Sequence, residues 1–515
     1  MRIHRCLYGT TRIWARSTAL ERSGLLTDNP ESAPDRIEAF AAMSKSSKIM
    51  LLAAGACVGS IVLLVSVAAA LLRVNTRPRL EAIATQALGM QVQIGGPVAI
   101  GYFPGLHVAM ADVHVRNRGA EVASAGELDL GIELLPLLRK QLRADQIELK
   151  RLSITVERNP DGKLNVESSS GANGTIPALT VANMSISSAT LAYADKQSGK
   201  GFDAADCTLN VSQMRLSAGH SSELLKNLSL SATLACARIR TTDFTASDFR
   251  SSVEGHSGVV AFNPITMQLL GGHGSGDIRA EFSGPEATYQ VRYRLTQFRL
   301  DEFFKDASPK SIGTGSMDLS TTLSLRGKTV ATLVSSAHGV ASLHGDDLSL
   351  AIGDLDANLA HYESSQSFHL IDFGAFFFAG PLGLAVTRGF DYARIFQGGA
   401  GSTSIRTLVS EWRVEDGVAQ AVDVAMATQK NRVALKGGLD FVSGRYDEVT
   451  VAVVDAKGCP IVTQKVRGPF LTPVVEKPNV VGTFTGPART LLRQARSLLG
   501  GKCDVFYAGS VAPPK

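Results

Sequence analysis

The stretch "LGMQVQIGGPVAIGYFPGLHVAMADVHVRN" (Leu88–Asn117) decides the fold. Val92 and Ile94 alternate with polar residues. After Gly95-Gly96-Pro97 the alternation resumes at Val98 and Ile100. Leu106, Val108 and Met110 follow Phe103-Pro104-Gly105, and Val113 and Val115 come next. Period-two alternation marks a strand with one apolar face, and runs of roughly three to seven residues are strand length. The Gly/Pro clusters are the breaks between runs. The stretch holds no acid pair, no metal-ligand spacing and no nucleophile motif.

The same pattern fills most of the remaining chain. Leu128, Leu130, Ile132 and Leu134 alternate, then Leu152, Ile154 and Val156, then Leu228, Leu230, Ala232, Leu234 and Cys236. Tyr289, Val291, Tyr293 and Leu295 repeat it, as do Val449, Val451 and Val453 near the other end. Helical spacing is rare. It occurs at Arg77–Gly89, Leu134–Gln141, Ser222–Leu228, Leu300–Asp306 and, most clearly, Pro487–Gly501. Glu167–Thr175 has the composition of a loop. The pattern predicts a mainly β chain with a few short helices. It leaves open closed barrels or sandwiches on one hand and one long curved sheet with an apolar concave side on the other. About 30–35 strands at ~4.8 Å would extend such a sheet roughly 140–170 Å.

Composition narrows the function classes. With 44% hydrophobic and 19% charged residues, the 515-residue chain is not of a disordered type. The net charge of +5 is spread without a Lys/Arg block, which argues against nucleic acid. Of the six cysteines, Cys207/Cys236 and Cys459/Cys503 form two well-separated sets, and none has zinc spacing. In an oxidising compartment these are two disulfides; elsewhere they are buried thiols.

Ile49–Leu72 runs for 24 residues without a charge, long enough to span a bilayer core as a helix of about 20 residues. It exceeds the usual apolar core of a cleaved signal peptide, the competing reading. Flanking charges (Lys45 and Lys48 before it, Arg73, Arg77 and Arg79 after it) do not set its orientation. The cysteine sets favour an oxidising side for the bulk of the chain. Residues 1–42 differ in character from the rest, and Met43 opens a short basic lead into the apolar run. Two readings follow: a cytoplasmic tail, or a true start at Met43.

Motifs for chemistry fail one by one. "LLGGHGSGDI" (Leu269–Ile278) lacks phosphate-loop spacing and precedes a strand, so its glycines are expected to let two strands approach closely. Gly327-Lys328-Thr329 lacks the upstream glycine of a phosphate loop. The histidines are scattered, with His338 and His344 expected at the surface. Asp372-Phe373-Gly374 has no kinase context, and Phe376–Phe378 suit a core or acyl contact. The expectation is a non-enzyme, with no catalytic, metal or cofactor residues.

The ordered succession of these features resembles the AsmA family. The residues that carry the resemblance are "LEAIATQALGMQVQIGGPVAIGYFPGLHVAMADVHVRN", the Leu134-Leu135-Pro136-Leu137-Leu138 stretch and "IELKRLSITVERNPDGKLNVE" with its Gly162–Asn165 turn. "ITMQLLGGHGSGDIRAEF", Gly313–Leu359, Val466–Val475 and the Cys503–Val511 ending add to it. The resemblance implies a single-pass anchor in a bacterial inner membrane, a periplasmic β-rich body, and kinship with bridge-like lipid-transfer proteins. The expected layout is a tail over 1–47, a transmembrane helix over 49–72, and β regions over 77–166, 176–310 and 311–485. A C-terminal amphipathic helix and tail occupy 486–515. The expected function is phospholipid transfer or outer-membrane lipid homeostasis, the partners being membrane phospholipids and outer-membrane or periplasmic proteins. The alternative is an assembly factor for outer-membrane proteins. On the lipid reading, Val92, Ile94, Val98, Ile100, Leu106, Val108 and Met110 form the first apolar rungs and receive lipid beside the bilayer.

Overall fold

The structure, a computed structural model, describes residues 76–101, 106–133, 142–166, 175–305, 313–360, 401–480 and 503–514, apart from 221–223 and a few single positions. All of these belong to one unit, residues 37–515. The Ile49–Leu72 run, Leu134–Gln141, Phe376–Phe378 and Pro487–Gly501 lie outside the described residues. Among the described residues, no helix is long and apolar enough to cross a membrane.

Helix α1 (Thr76–Leu88) leads into β1 (Gln91–Ile94), β2 (Val98–Gly101), β3 (Leu106–Asn117), β4 (Ala120–Ile132) and β5 (Leu142–Arg158). Then come β6 (Thr175–Ile176), β7 (Leu179–Asp195), β8 (Lys200–Leu216), β9 (Gly219–His220), α2 (Leu224–Asn227), β10 (Leu228–Thr241) and β11 (Thr245–His256). The middle holds β12 (Val259–Leu269), β13 (Gly272–Glu281), β14 (Thr288–Arg299), α3 (Leu300–Phe304), β15 (Gly313–Thr314), β16 (Ser316–Arg326) and α4 (Val330–Ser335). The last part holds β17 (His338–Leu350), α5 (Leu355–Ala360), β18 (Thr403–Glu415), β19 (Val418–Ala427) and β20 (Arg432–Asp440). It ends with β21 (Arg445–Val454), β22 (Pro460–Pro469), β23 (Val474–Val475) and β24 (Asn479–Val480).

Apart from β6 and β9, which pair with each other, these strands form a single sheet of 22 strands. Each long strand pairs with its neighbours in chain order, antiparallel throughout except where β5 runs parallel to β7. Among the described residues, β1 and β2 lie on one edge, against β3, and β23 and β24 on the other, against β22. The two edges do not pair, so the sheet is open and no barrel forms. Pairing also runs unbroken across the boundaries expected near 166–176 and 310.

The strands are fewer and longer than the alternation suggests. β5, β7 and β8 have 17 residues each, and the described residues form 24 strands against the 30–35 expected of the chain. The physical reason is a left-handed residue in mid-strand, at which the apolar face skips one place while the ladder between β3, β4, β5 and β7 stays in register. In β3 the apolar face steps from Met110 to Val113, with Asp112 at φ 57 between them. In β5 it steps from Leu149 to Leu152 past Arg151 (φ 54), and in β7 from Ile186 to Ala189 past Ser188 (φ 50). Neighbouring strands skip the same place together, so the apolar set stays in phase and the strand does not end. A sequence scan sees a broken alternation and counts two strands.

The Gly-Gly-Pro of the opening stretch sits where one of these steps crosses the edge. Gly95 and Gly96 donate their N–H groups to the carbonyls of Asp112 (2.7 Å) and Ala111 (3.0 Å). A Cβ at Gly95 would collide with the Asp112 carboxylate, and one at Gly96 would lie 2.8 Å from Ala111. Helix α1 closes the β1 edge beside them. Thr85 Oγ1 accepts from Val92 N (3.0 Å), and Glu81 accepts from Ile94 N (2.8 Å). These bonds blunt an edge that would otherwise offer free donors.

Two large apolar clusters form on one face. The first runs from Leu80 and Ala84 of α1 through β1–β5 and β7, β8, β10 and β11. The second joins β14–β22 to Leu300 and Phe304 of α3 and Leu355 and Leu359 of α5. Leu130 and Ile147 are fully buried in the first, and Ile405 and Leu408 in the second. Truncating any of these to Ala should cost about 2–5 kcal/mol.

Across β18–β21 the opposite face is buried too. Tyr507 and Val511 of the C-terminal segment pack on Ala425, Ala427, Ala434 and Ala452. Arg432 donates to the carbonyls of Val511 (2.9 Å) and Asp455 (2.6 Å) and stands 5.3 Å from the Tyr507 ring centroid. Tyr507 Oη donates to Asp423 (2.6 Å), which also accepts from Ser510 N (2.8 Å). Cys459 and Cys503 are joined as a disulfide at the base of this segment.

The Gly95 geometry yields a test. Gly95→Val should destabilise the chain by about 1–3 kcal/mol through forced overpacking against Asp112. Gly119→Ala, with nothing within 4 Å of its added Cβ, should cost less although its φ of +84° disfavours a side chain. Urea unfolding midpoints of the two variants check this.

Candidate functional site

One feature of the sheet is shared by nearly all its long strands. Residues directly opposite one another across a ladder point to the same face. From the β2 edge, such a row runs Ile100, Val108, Leu130, Ile147, Met184 and Val211. It continues through Ala232, Val253, Phe262, Ile278, Val291 and Leu323. Gly339 then carries no side chain, and Val414, Ala419, Leu439 and Tyr446 complete the row. No polar side chain interrupts it. At ~4.8 Å per strand, the path from β2 to β21 is roughly 77 Å.

The opposite face of the central strands is polar. Arg279 pairs in register with Gln290, Asp277 with Arg292, and Ser275 with Arg294. Arg292 and Asp277 form an ion pair at 3.0 Å. Nearer the β2 edge, the Arg151 and Lys150 side chains hold the Glu127 carboxyl below its ordinary value. The sheet is thus two-faced: apolar in one direction, hydrated and charged in the other.

Burial along the row is uneven. From Val108 to Val253 every member is buried, and so are Val414, Ala419 and Leu439. Between them Phe262, Ile278, Val291 and Leu323 are half-buried, as are Tyr289 and Leu325 on the adjacent row Ala280–Tyr289–Leu325. Ile278 and Val291 belong to neither large cluster.

The glycines of "LLGGHGSGDI" shape this central band. On β13, a Cβ at Gly272 would lie 2.7 Å from the Phe298 backbone, and one at Gly276 would collide with the Arg292 carbonyl. β13 and β14 therefore approach closely, as expected from the sequence. Gly274 leaves room for the Tyr293 hydroxyl, which a Cβ there would strike. That hydroxyl is buried and has no hydrogen-bond partner. Burial pushes the Tyr293 phenol up to about 12, and does the same to Tyr446 at the far end of the row.

The seven rungs expected to receive lipid fall as follows. Val92, Ile94, Leu106, Val108 and Met110 are buried in the first cluster, with Leu80 and Ala84 of α1. Val98 and Ile100 are half-buried on the edge strand. The structure brings all seven into one apolar body. Cys207 and Cys236 face each other directly on β8 and β10 and form a disulfide. His338 and His344 are exposed, each beside an aspartate. No cluster of three metal-ligating side chains occurs among the described residues. Alternation alone did not single out Phe262 and Ile278, because it reports a residue's face and not what lies over that face.

Comparison with known families gives one match. The model of the AsmA family matches residues 43–229 and 221–367, together more than half of the chain. No curated protein matches it.

The two raised phenols have a consequence at alkaline pH. Their neutral forms are favoured in the folded chain over the ordinary value of 10.0. The folded state therefore binds more protons than the unfolded state above pH 10. Stability should be unaffected by these groups below pH ~10 and should fall as pH rises from ~10 toward ~12. Tyr293→Phe should make that fall shallower. It should also leave stability at neutral pH unchanged or higher, since it removes an unsatisfied buried hydroxyl. Urea titrations at pH 7 to 11.5 measure both effects.

Proposed function

Because the chain belongs to the AsmA family, we propose that it is a non-enzymatic envelope protein that carries phospholipid acyl chains on the apolar face of its sheet, in lipid transfer or outer-membrane lipid homeostasis. The observation that carries this reading is the unbroken apolar row from Ile100 to Tyr446, opposite a face that is polar on the central strands. An acyl chain gains roughly 0.8 kcal/mol for each CH₂ it removes from water, so it stays on such a row and slides along it more readily than it leaves. On this reading the sheet curves around that face and makes it a groove. No bond is made or broken in such a step.

The same reading places Ile49–Leu72 across a bacterial inner membrane and the sheet in the periplasm. The two disulfides support an oxidising compartment. The partners are then membrane phospholipids on one side and outer-membrane or periplasmic proteins on the other.

Transfer of a fluorescent phospholipid between donor and acceptor vesicles, with the full chain reconstituted in the donors, tests the proposal. The chain should accelerate transfer. Val291→Asp puts a charge on the row and should slow transfer tenfold or more with an unchanged circular dichroism spectrum. Absence of both acceleration and co-purifying phospholipid would sink the proposal. Crosslinks to outer-membrane proteins without lipid would favour an assembly factor instead.

A further inference from the structure

We infer that acyl chains rest on the apolar face only across the central strands β12–β16, entering from the side, and that the rungs at either end of the row are sealed cores and not a conduit. This inference rests on the lipid-carrying reading above and specifies where that reading applies.

Three observations support it. First, the central side chains Phe262, Ile278, Val291 and Leu323 are half-buried in succession, whereas the other half-buried members are Gly339 and the terminal Ile100 and Tyr446, and Val108 to Val253, Val414, Ala419 and Leu439 are buried. Second, the helices that bury side chains in the two clusters leave the rung Ile278–Val291 outside both. α1 buries Leu80 and Ala84 in the first cluster, and α3 and α5 bury Leu300, Phe304, Leu355 and Leu359 in the second. Helix α3 reaches only the far end of β14, at Leu295 and Phe298, and Ile278 and Val291 themselves belong to neither cluster. Third, the size fits. Phe262 to Leu323 is three strand steps, about 14 Å. One leaflet is half of a hydrocarbon core of about 30 Å, so an acyl chain lying across these strands spans about 15 Å. The band holds one acyl chain's length and no more.

Cargo held this way is exchanged laterally. A chain with the whole row open would instead load at the rungs nearest the bilayer, Val92 to Met110. Those are packed against α1, and opening them would expose a large part of the first core.

The test uses the full chain in phosphatidylethanolamine/phosphatidylglycerol vesicles carrying a phospholipid with a diazirine on its acyl chain. After irradiation, labelled peptides are mapped by mass spectrometry. Labelling should concentrate in 259–299 and 316–326 and be at least fivefold lower in 106–132 and 432–454. Equal or greater labelling of 106–132 would overturn the central site while leaving lipid carriage standing. Absence of label everywhere would overturn lipid carriage and the site together. In a second arm, Ile278→Ser should reduce labelling of 259–299 at least fivefold. Unchanged labelling with an unchanged urea midpoint overturns the inference. If the midpoint falls, the wild-type map alone decides.

Discussion

A sheet this wide depends on one constraint: side chains paired across each ladder share a face, so every strand must keep its apolar set in phase with both neighbours. A slip of one residue would turn a strand's apolar set outward and its polar set inward. The left-handed residues Asp112, Arg151 and Ser188 act within that constraint. They occur at matching heights on β3, β5 and β7, so the apolar face steps by three residues on adjacent strands together. Gly95 and Gly96 do the same work at the edge by leaving room for Asp112 and Ala111. A left-handed backbone is unfavourable for Asp, Arg and Ser, and it persists because the pairing on both sides fixes it.

The same apolar face exists in two physical states. At the ends, helices lie against it and the side chains make a dense core whose loss is costly. In the middle it is covered only in part, and exposed apolar area is retained there at a standing free-energy penalty. A soluble domain without a ligand would ordinarily close such a band. Its persistence is the physical feature that the proposed acyl-chain cargo would account for.

The far end of the sheet is held differently. β19–β21 are buried on both faces, because the C-terminal segment covers the side that is polar elsewhere. The alanines there are small enough to let Tyr507 and Val511 lie close. Arg432 is held by backbone carbonyls and an aromatic ring. Burial drives its pKa down, and the Asp455 and Tyr507 surroundings oppose that shift. The Cys459–Cys503 bridge joins the segment to the β21–β22 turn, while Cys207–Cys236 joins two neighbouring strands.

The sequence alone determined the class of structure and the face of each strand. Period-two alternation follows from the pleat and needs no tertiary information, so Val108, Leu130, Ile147 and Val291 could be placed on an apolar face at sight. It also determined that the glycines of Leu269–Ile278 belong to close strand packing, since phosphate-loop spacing is absent. The tertiary structure decided what alternation cannot encode. Strand length depended on left-handed residues in mid-strand, where the skipped place in the alternation looks like a strand end in sequence. The pairing of Cys207 with Cys236 as direct neighbours depended on the β8–β10 register. Whether an apolar face is sealed or open depended on which helices fold over it. Val108 and Val291 carry the same side chain in the same alternation, and only the packing above them leaves one a core residue and the other half-buried.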